Sequence, residues 1–163
     1  MSTGKEPMMQ KSIVLLLLVW ASASPAISWA APIAITSTQS LTYGSFVVNA
    51  AGGVTVGVNP LMRTANGGVT LISSSSWSAA SFSVTGDMNT TYAITLPANG
   101  VVSLTSGANS MALNDFTSNP AATSGQLYAS GSQTLTVGAT LSVIGSQATG
   151  DYTGSFTVTV DYN

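Results

Sequence analysis

Apolar and polar residues alternate with a period of two along most of the chain after residue 40. Val54, Val56 and Val58 alternate with small or polar residues, and the stretch Leu135–Val143 does the same. Such alternation places the apolar side chains on one face of a β-strand. No segment after residue 40 carries the 3.6-residue apolar spacing of an amphipathic helix. The pattern therefore predicts a series of short strands.

Turn-forming residues separate the predicted strands. Asn66-Gly67-Gly68 is expected to form a turn ahead of a strand at Val69–Ile72. Asn99-Gly100 has the composition of a tight hairpin turn, since both residues tolerate a positive φ. We therefore expect a hairpin in which Tyr92–Leu96 pairs with Val101–Leu104.

The clearest alternation lies at the C-terminal end of the chain. Phe156, Val158, Val160 and Tyr162 are predicted to face one way, with polar residues between them. Short strands at intervals of roughly 8–15 residues are typical of a β-sandwich. We expect one all-β domain, an immunoglobulin-like antiparallel β-sandwich over residues 31–163.

The first 30 residues predict a secretory signal peptide. Lys5 and Lys11 precede the apolar run Ile13–Ala21, and Pro25 and small residues follow up to Ala30. An uncleaved membrane anchor is the alternative, but the run is shorter than the roughly 20 residues that span a bilayer. We expect cleavage after Ala30 and export to the periplasm, cell surface or medium, with translation starting at Met1, Met8 or Met9.

Charge is sparse in the predicted mature chain. Charged residues make up 5% of the sequence, and Arg63 is the one basic residue after position 30. This composition lacks the basic footprint that nucleic acid or anionic lipid requires. We expect no nucleic-acid partner, and no integral membrane span after signal cleavage. Arg63 is expected to lie in solvent at a loop or to pair with an aspartate.

The sequence offers little catalytic chemistry. Without His or Cys, most nucleophile–base pairs and zinc sites are excluded. Asp87 and Asp115 lie beside turn-forming residues, so their carboxylates are interpreted as turn caps rather than a catalytic pair. A calcium site that uses Asp87, Asn89 or Asp151 is the alternative, although the dense spacing of a calcium loop is absent. We expect a protein without catalytic, metal or cofactor-binding residues.

Trp77 is a candidate ligand contact, because an exposed Trp can stack on a sugar ring. The competing interpretation is an ordinary core tryptophan.

Several stretches resemble a family of small secreted bacterial β-domains of unknown function. The resemblance covers nearly the whole predicted mature chain, in order, and assigns no activity. Its stretches are Leu41–Phe46, Gly67–Leu71, Ala80–Gly86, Thr91–Pro97 and Gly150–Tyr162.

The C-terminal stretch also resembles the end of chaperone–usher pilus subunits of the archaic, spore-coat-like type. Those subunits end in an alternating strand with a penultimate aromatic residue and a glycine fourteen positions from the end. Tyr162 and Gly150 occupy these positions here. The resemblance implies a periplasmic chaperone and an usher as partners, with Gly150 and the Phe156–Tyr162 face as the assembly residues.

In such subunits, an N-terminal strand completes the sandwich of a neighbouring subunit. Only Ala31–Ser40 precedes the strand predicted at Leu41, and Ile33 and Ile35 alternate suitably for a donor strand. The same two residues fit equally well in the first core strand, which would leave the domain complete. The sequence therefore predicts a non-catalytic fimbrial or surface-assembly subunit that associates with itself or with other surface subunits. A self-contained glycan- or protein-binding module is the alternative.

Overall fold

The computed structural model describes residues 30–163, so the predicted signal peptide lies outside the described residues. No helix occurs in this part of the chain, and therefore none that is long and apolar enough to cross a membrane. The strands are β1 Ala34–Gln39, β2 Phe46–Val58, β3 Leu61–Leu71, β4 Ala80–Thr85, β5 Thr91–Thr95, β6 Val102–Ser106, β7 Asn109–Asn119, β8 Gly125–Gln126, β9 Ser132–Val143 and β10 Thr159–Tyr162.

All strand pairs are antiparallel, and they form two sheets. The larger sheet has the order β1-β4-β9-β2-β3, and β7 joins it by pairing with β9 while β6 pairs with β7. The smaller sheet has the order β10-β5-β8. The predicted all-β antiparallel sandwich is confirmed. In this arrangement β1 and β3 are end strands of the larger sheet.

Gly138 marks the point at which β9 changes partners. Residues 132–137 of β9 pair with β4, residues 139–143 pair with β2, and β7 lies along both halves. Because a strand has only two edges, β4 and β2 share one edge of β9 and meet at Gly138. A Cβ at this position would overlap the carbonyl oxygen of Val56, so the close backbone approach requires glycine.

The buried residues form two apolar clusters. The first includes Val54, Val56, Leu113 and Leu141 from the larger sheet. The second lies between the two sheets and joins β4 and β9 to β5 and β10; its buried members are Ala80, Val84, Tyr92, Ile94, Leu127, Leu135, Val137, Val158 and Val160. Both clusters are built from the alternating positions, because successive side chains of a strand point to opposite faces.

The turn predicted at Asn66-Gly67-Gly68 is wrong. These residues lie inside β3, and the hairpin turn instead occupies positions 59–60, between Val58 and Leu61. Gly67 has a φ of 62° and pairs with Gly52, where the register between β2 and β3 shifts. The glycines therefore accommodate a bulge rather than a chain reversal.

The hairpin predicted around Asn99-Gly100 is also wrong in its pairing. The residues do form a turn, with a φ of 73° at Gly100. However, β5 pairs with β10 and β8, whereas β6 pairs with β7. The turn therefore carries the chain from one sheet to the other.

Candidate strand-addition site

In the C-terminal segment, the side chains of Phe156, Val158, Val160 and Tyr162 share one face as predicted, but the backbone pairs less regularly than expected. Val158 and Val160 are buried, Phe156 and Tyr162 are half-buried, and the residues between them are exposed. Ordered strand pairing covers only Thr159–Tyr162, whose partner is β5. Ahead of it, a single bridge joins Thr153 to Thr105 of β6.

Residues 154–158 therefore form a stretch without strand pairing. Within the described chain, no backbone hydrogen bond joins this stretch to a neighbouring strand. Its apolar side chains are nevertheless anchored. The ring of Phe156 lies 5.3 Å from that of Phe116 and 6.3 Å from that of Phe82, centroid to centroid. Aromatic side-chain contacts therefore anchor this stretch, although its backbone takes part in no strand pairing.

The N-terminal candidates lie beside this segment. β1 pairs only with β4, with Ile35 opposite Val84. Ile33 and Ile35 are half-buried and pack on the second cluster, which also includes Val158, Val160, Phe156 and Tyr162. Of the seven predicted assembly residues, the fold thus brings six into one cluster. The seventh, Gly150, lies in the loop between β9 and β10, beside Ser106 of β6.

A cleft of about 250 Å³ separates the end of β1 from the unpaired stretch. Its lining includes Ser37, Gln39, Ser40 and Leu41, at the end of β1, and residues 154–156 of the unpaired stretch. β1 has no strand on its outer edge in the described sheet. An end strand and an unpaired segment therefore border the same cleft.

The lining of the cleft also includes apolar side chains and one buried polar group that lacks a partner in the described chain. Phe82, Leu104 and Leu113 are among the lining residues, together with Tyr43. Tyr43 is 6% exposed, and within the described residues its hydroxyl has no hydrogen-bond partner. Burial raises the pKa of this hydroxyl far above its ordinary value. Native structures rarely leave such a group unpaired. The sequence does not reveal this buried hydroxyl, because Tyr43 stands in it only as one apolar position of an alternating stretch.

Hydrogen bonds tie the start of the described chain to its end. The Tyr162 hydroxyl donates to the Ala31 carbonyl at 2.8 Å and accepts from the Asp87 backbone N–H at 2.7 Å. The Ala31 backbone nitrogen lies 2.8 Å from Oδ1 of Asp87. Asp87 is thus a contact of the N-terminal segment, in addition to lying in a turn as predicted.

Trp77 lies elsewhere, against the first cluster. It is half-buried and packs with the partly buried residues around Val54 and Val69. Trp77 does not line the cleft beside β1. Trp77 therefore contributes to the edge of the first apolar cluster.

Arg63 makes neither of the contacts expected from the sequence. Its guanidinium donates to the carbonyls of Tyr43 and Ile72 and to the Ser75 hydroxyl, at 2.8–3.0 Å. The arginine therefore fastens the loop after β3 to the segment ahead of β2.

A second cavity of about 470 Å³ lies beside β8 and the start of β9. It is lined by neutral polar side chains, including Asn119, Gln126 and Gln133, and by Tyr128, which is 61% exposed. Gln133 is held in place, because its Oε1 accepts hydrogen bonds from the Tyr92 hydroxyl at 2.7 Å and from the Gln126 backbone at 3.0 Å.

The carboxylates do not assemble into a metal-binding group. Across residues 30–163, no cluster of three or more acidic side chains is present. The turn predicted at Asp115 is wrong, because this residue lies inside β7 at an irregularity in the pairing with β9, where its φ is 49°. Its backbone N–H donates to Asn99 Oδ1 at 2.7 Å. A calcium site around Asp87, Asn89 and Asp151 gains no support from this arrangement.

Comparison with known proteins identifies the family of the domain. No curated protein and no solved structure matches the chain. Residues 33–162, which span β1 to β10, match the family described as Domain of unknown function (DUF4402). Because this match covers most of the sequence, the chain belongs to the family Domain of unknown function (DUF4402).

Proposed function

We propose that this protein is an exported structural subunit that assembles by strand addition, in which the N-terminal strand of one copy completes the sandwich of the next. The observation that carries the proposal is that β1 is an end strand paired only with β4 and borders a partly apolar cleft together with the unpaired residues 154–158. An extended segment that takes the place of β1 gains backbone hydrogen bonds along β4 and apolar contacts in the cleft.

The donor is the segment Ala31–Gln39 of a second copy. β1 is an end strand, and none of its residues is completely buried. Ile33, just ahead of β1, and Ile35 make the principal apolar contacts of the donor segment. When β1 is withdrawn, its vacated position along β4 and the adjoining cleft become one continuous groove. The same segment of a neighbour supplies the same two isoleucines to that groove, so exchange retains the lost contacts.

The low charge of the surface supports this proposal. Edge strands of soluble proteins are usually protected by Lys or other charges. β1 has the sequence Ala-Ile-Thr-Ser-Thr-Gln, without a charged residue. Nothing electrostatic in β1 itself therefore opposes pairing with a second copy. A periplasmic chaperone that holds the open groove, and an usher that directs exchange, are the partners this mode of assembly requires.

Cysteine cross-linking tests the exchange directly, because the chain contains no cysteine. Thr36 and Ser83 are register partners across β1 and β4. The variants Thr36→Cys and Ser83→Cys would be mixed, unfolded, refolded together and oxidised. Strand exchange predicts covalent heterodimers of the two variants, since the thiol introduced at position 36 of one copy then faces the thiol introduced at position 83 of another.

The matched control uses Thr55 and Thr64, which are register partners within the β2–β3 hairpin. Mixed Thr55→Cys and Thr64→Cys variants should give no more heterodimer than random surface contact produces. If the Thr36 and Ser83 variants behave like this control, and the double variant forms only an intramolecular disulfide, β1 stays in its own subunit and the proposal fails.

The second cavity favours a different candidate function, a binding module for neutral glycans. Exposed aromatic rings stack on sugars, and uncharged amides and hydroxyls pair with sugar hydroxyls. Tyr128 and Gln126 offer these groups beside the fixed Gln133. Retardation in gels that contain neutral polysaccharide tests this function. Binding that is lost in Tyr128→Ala and kept in Trp77→Phe would support it, and no retardation of the wild-type protein would exclude it for those polysaccharides.

A further inference from the structure

Cleavage after Ala30 would change the chemical nature of the Ala31 nitrogen, which lies beside Asp87. In the uncleaved chain the Ala31 nitrogen is an amide, and its single hydrogen points to Oδ1 of Asp87 at 2.8 Å. Hydrolysis of the Ala30–Ala31 bond by a signal-peptide-cleaving protease adds one water. Ala30 leaves with a carboxylate, and Ala31 retains an α-amino group that is protonated near neutral pH.

We propose that Asp87 and Tyr162 form an intramolecular binding site for this new α-ammonium group, so that removal of the leader completes the fold. The amide hydrogen bond becomes a charge-assisted one between ammonium and carboxylate, which is the stronger kind. This proposal goes beyond the assembly function, because the contacts are the same whether β1 pairs with β4 of its own copy or of a neighbour.

The site is built from elements that are fixed independently of the N-terminus. Asp87 follows β4, and its own carbonyl accepts a hydrogen bond from the Thr90 hydroxyl at 2.7 Å. The backbone N–H of Gly86 donates to the carbonyl of Gly131 at 2.9 Å. These contacts hold the loop that presents the Asp87 carboxylate.

Tyr162 supplies the second half of the site. Its hydroxyl accepts from the Asp87 backbone N–H at 2.7 Å and donates to the Ala31 carbonyl at 2.8 Å. The carbonyl and the nitrogen of Ala31 are therefore both bound, by two different side chains. This two-point contact fixes where the chain begins, and one added or missing residue before Ile33 would displace the amino group.

No basic side chain of residues 30–163 competes for the Asp87 carboxylate. Asp161, next to Tyr162, is exposed and makes no hydrogen bond to Ala31 among those described. The one basic side chain of the described residues, Arg63, is engaged with the carbonyls of Tyr43 and Ile72. Within residues 30–163, the Asp87 carboxylate is therefore left to the new N-terminus.

The first test determines which residue begins the exported protein. The full chain would be expressed with its leader in a bacterial host, and the exported protein would be analysed by intact mass. A chain that begins at Ala31 is the expected result. A chain that begins at any other residue overturns the proposal.

The second test compares the exported protein with the same protein after selective Nα-acetylation, each as wild type and as Asp87→Asn. In the wild type, acetylation should lower Tm by about 2–4 °C, the shift that ~1 kcal/mol produces in a domain of this size. In Asp87→Asn, acetylation should change Tm little, because the acceptor charge is gone. Asp161→Asn is the matched control and should respond to acetylation as the wild type does.

NMR titration of the α-amino group gives a readout that a general loss of stability would not move. Its pKa should lie above the reference of ~7.7–8.0 in the wild type and return to that reference in Asp87→Asn. Equal pKa values in the two proteins, or equal effects of acetylation on Tm, would overturn the proposal. Size-exclusion chromatography confirms that a monomer is measured, so the result is independent of strand exchange.

Discussion

The hydroxyl of Tyr162 donates a hydrogen bond to the carbonyl of Ala31 at 2.8 Å, across 131 positions of sequence. The same oxygen accepts from the backbone N–H of Asp87 at 2.7 Å. One side chain thereby links the start of the domain, the loop after β4 and the last strand. Because β1 has only β4 as a strand partner, this oxygen is one of its few further attachments.

Replacing Tyr162 with Phe should therefore loosen β1. The variant retains the ring and removes two hydrogen bonds, so we expect a loss of about 1–2 kcal/mol in the free energy of unfolding. Amide hydrogen exchange in β1 should accelerate more than exchange in β9.

Tyr152→Phe is the matched control for this prediction. The Tyr152 hydroxyl also makes two hydrogen bonds, to Ala148 and Gln147, but it lies in the loop before β10. Its loss should not accelerate exchange in β1 selectively. Equal protection of β1 in the two variants would contradict the role assigned to Tyr162.

Tyr43→Phe is expected to behave unusually for a substitution in a core. The change removes a buried hydroxyl that lacks a partner in the described chain, so the free energy of unfolding should stay the same or rise by up to about 1 kcal/mol. If an incoming strand pairs with this hydroxyl, the same variant should exchange strands less efficiently in the cross-linking assay. A marked loss of stability in the monomer would show that the hydroxyl is already satisfied.

Tyr43→Phe should also weaken the dependence of stability on alkaline pH. Burial raises the pKa of Tyr43 in the folded protein, so the unfolded chain loses this proton first, near pH ~10. Stability is thus unaffected below that pH and falls above it, by up to ~1.4 kcal/mol per pH unit, until the folded tyrosine ionises too. Urea denaturation between about pH 9 and 11 should show a shallower decline for Tyr43→Phe. Identical slopes would contradict the burial of this group.

Arg63→Lys should destabilise the domain although it preserves the charge. The guanidinium reaches the carbonyls of Tyr43 and Ile72 simultaneously, and a lysine ammonium lacks that fork geometry. We expect a loss of about 2 kcal/mol in urea denaturation. Because these acceptors are neutral carbonyls, the loss should be nearly the same in low and high salt. A strong salt dependence would instead indicate an ion pair.

Gly125→Ala should be costly for a reason that the sequence does not show. A Cβ at Gly125 would lie 2.5 Å from Cε2 and Cζ of the Tyr92 ring, and Tyr92 is fully buried. We expect a loss of about 1–3 kcal/mol from this overpacking. Gly100→Asn is the control, since no atom lies within 4 Å of a Cβ there and Asn tolerates the positive φ of 73°. A thermal shift as large for Gly100→Asn as for Gly125→Ala would contradict the packing argument.

Local patterns in the sequence predicted which residues are buried, because alternation follows from strand geometry alone. Val54, Val56, Val158 and Val160 are buried as their spacing implied. The same patterns failed to predict which strands pair. Glycines at 67 and 68 look like a turn, yet they form part of a bulge because β2 and β3 continue past them. A positive φ is a local property, whereas its use as a turn or a bulge depends on the partner strand.

The sequence by itself determined the all-β class, the apolar face of each main strand and the absence of histidine and cysteine chemistry. Only the tertiary structure decided that β1 and the C-terminal segment share one cluster, that residues 154–158 remain unpaired, and that Tyr43 lies buried beside them. These features arise from contacts between residues more than 100 positions apart, such as Ala31 and Tyr162. The periodicity of a sequence indicates on which face of a strand a side chain lies. It does not indicate which distant strand pairs with that strand.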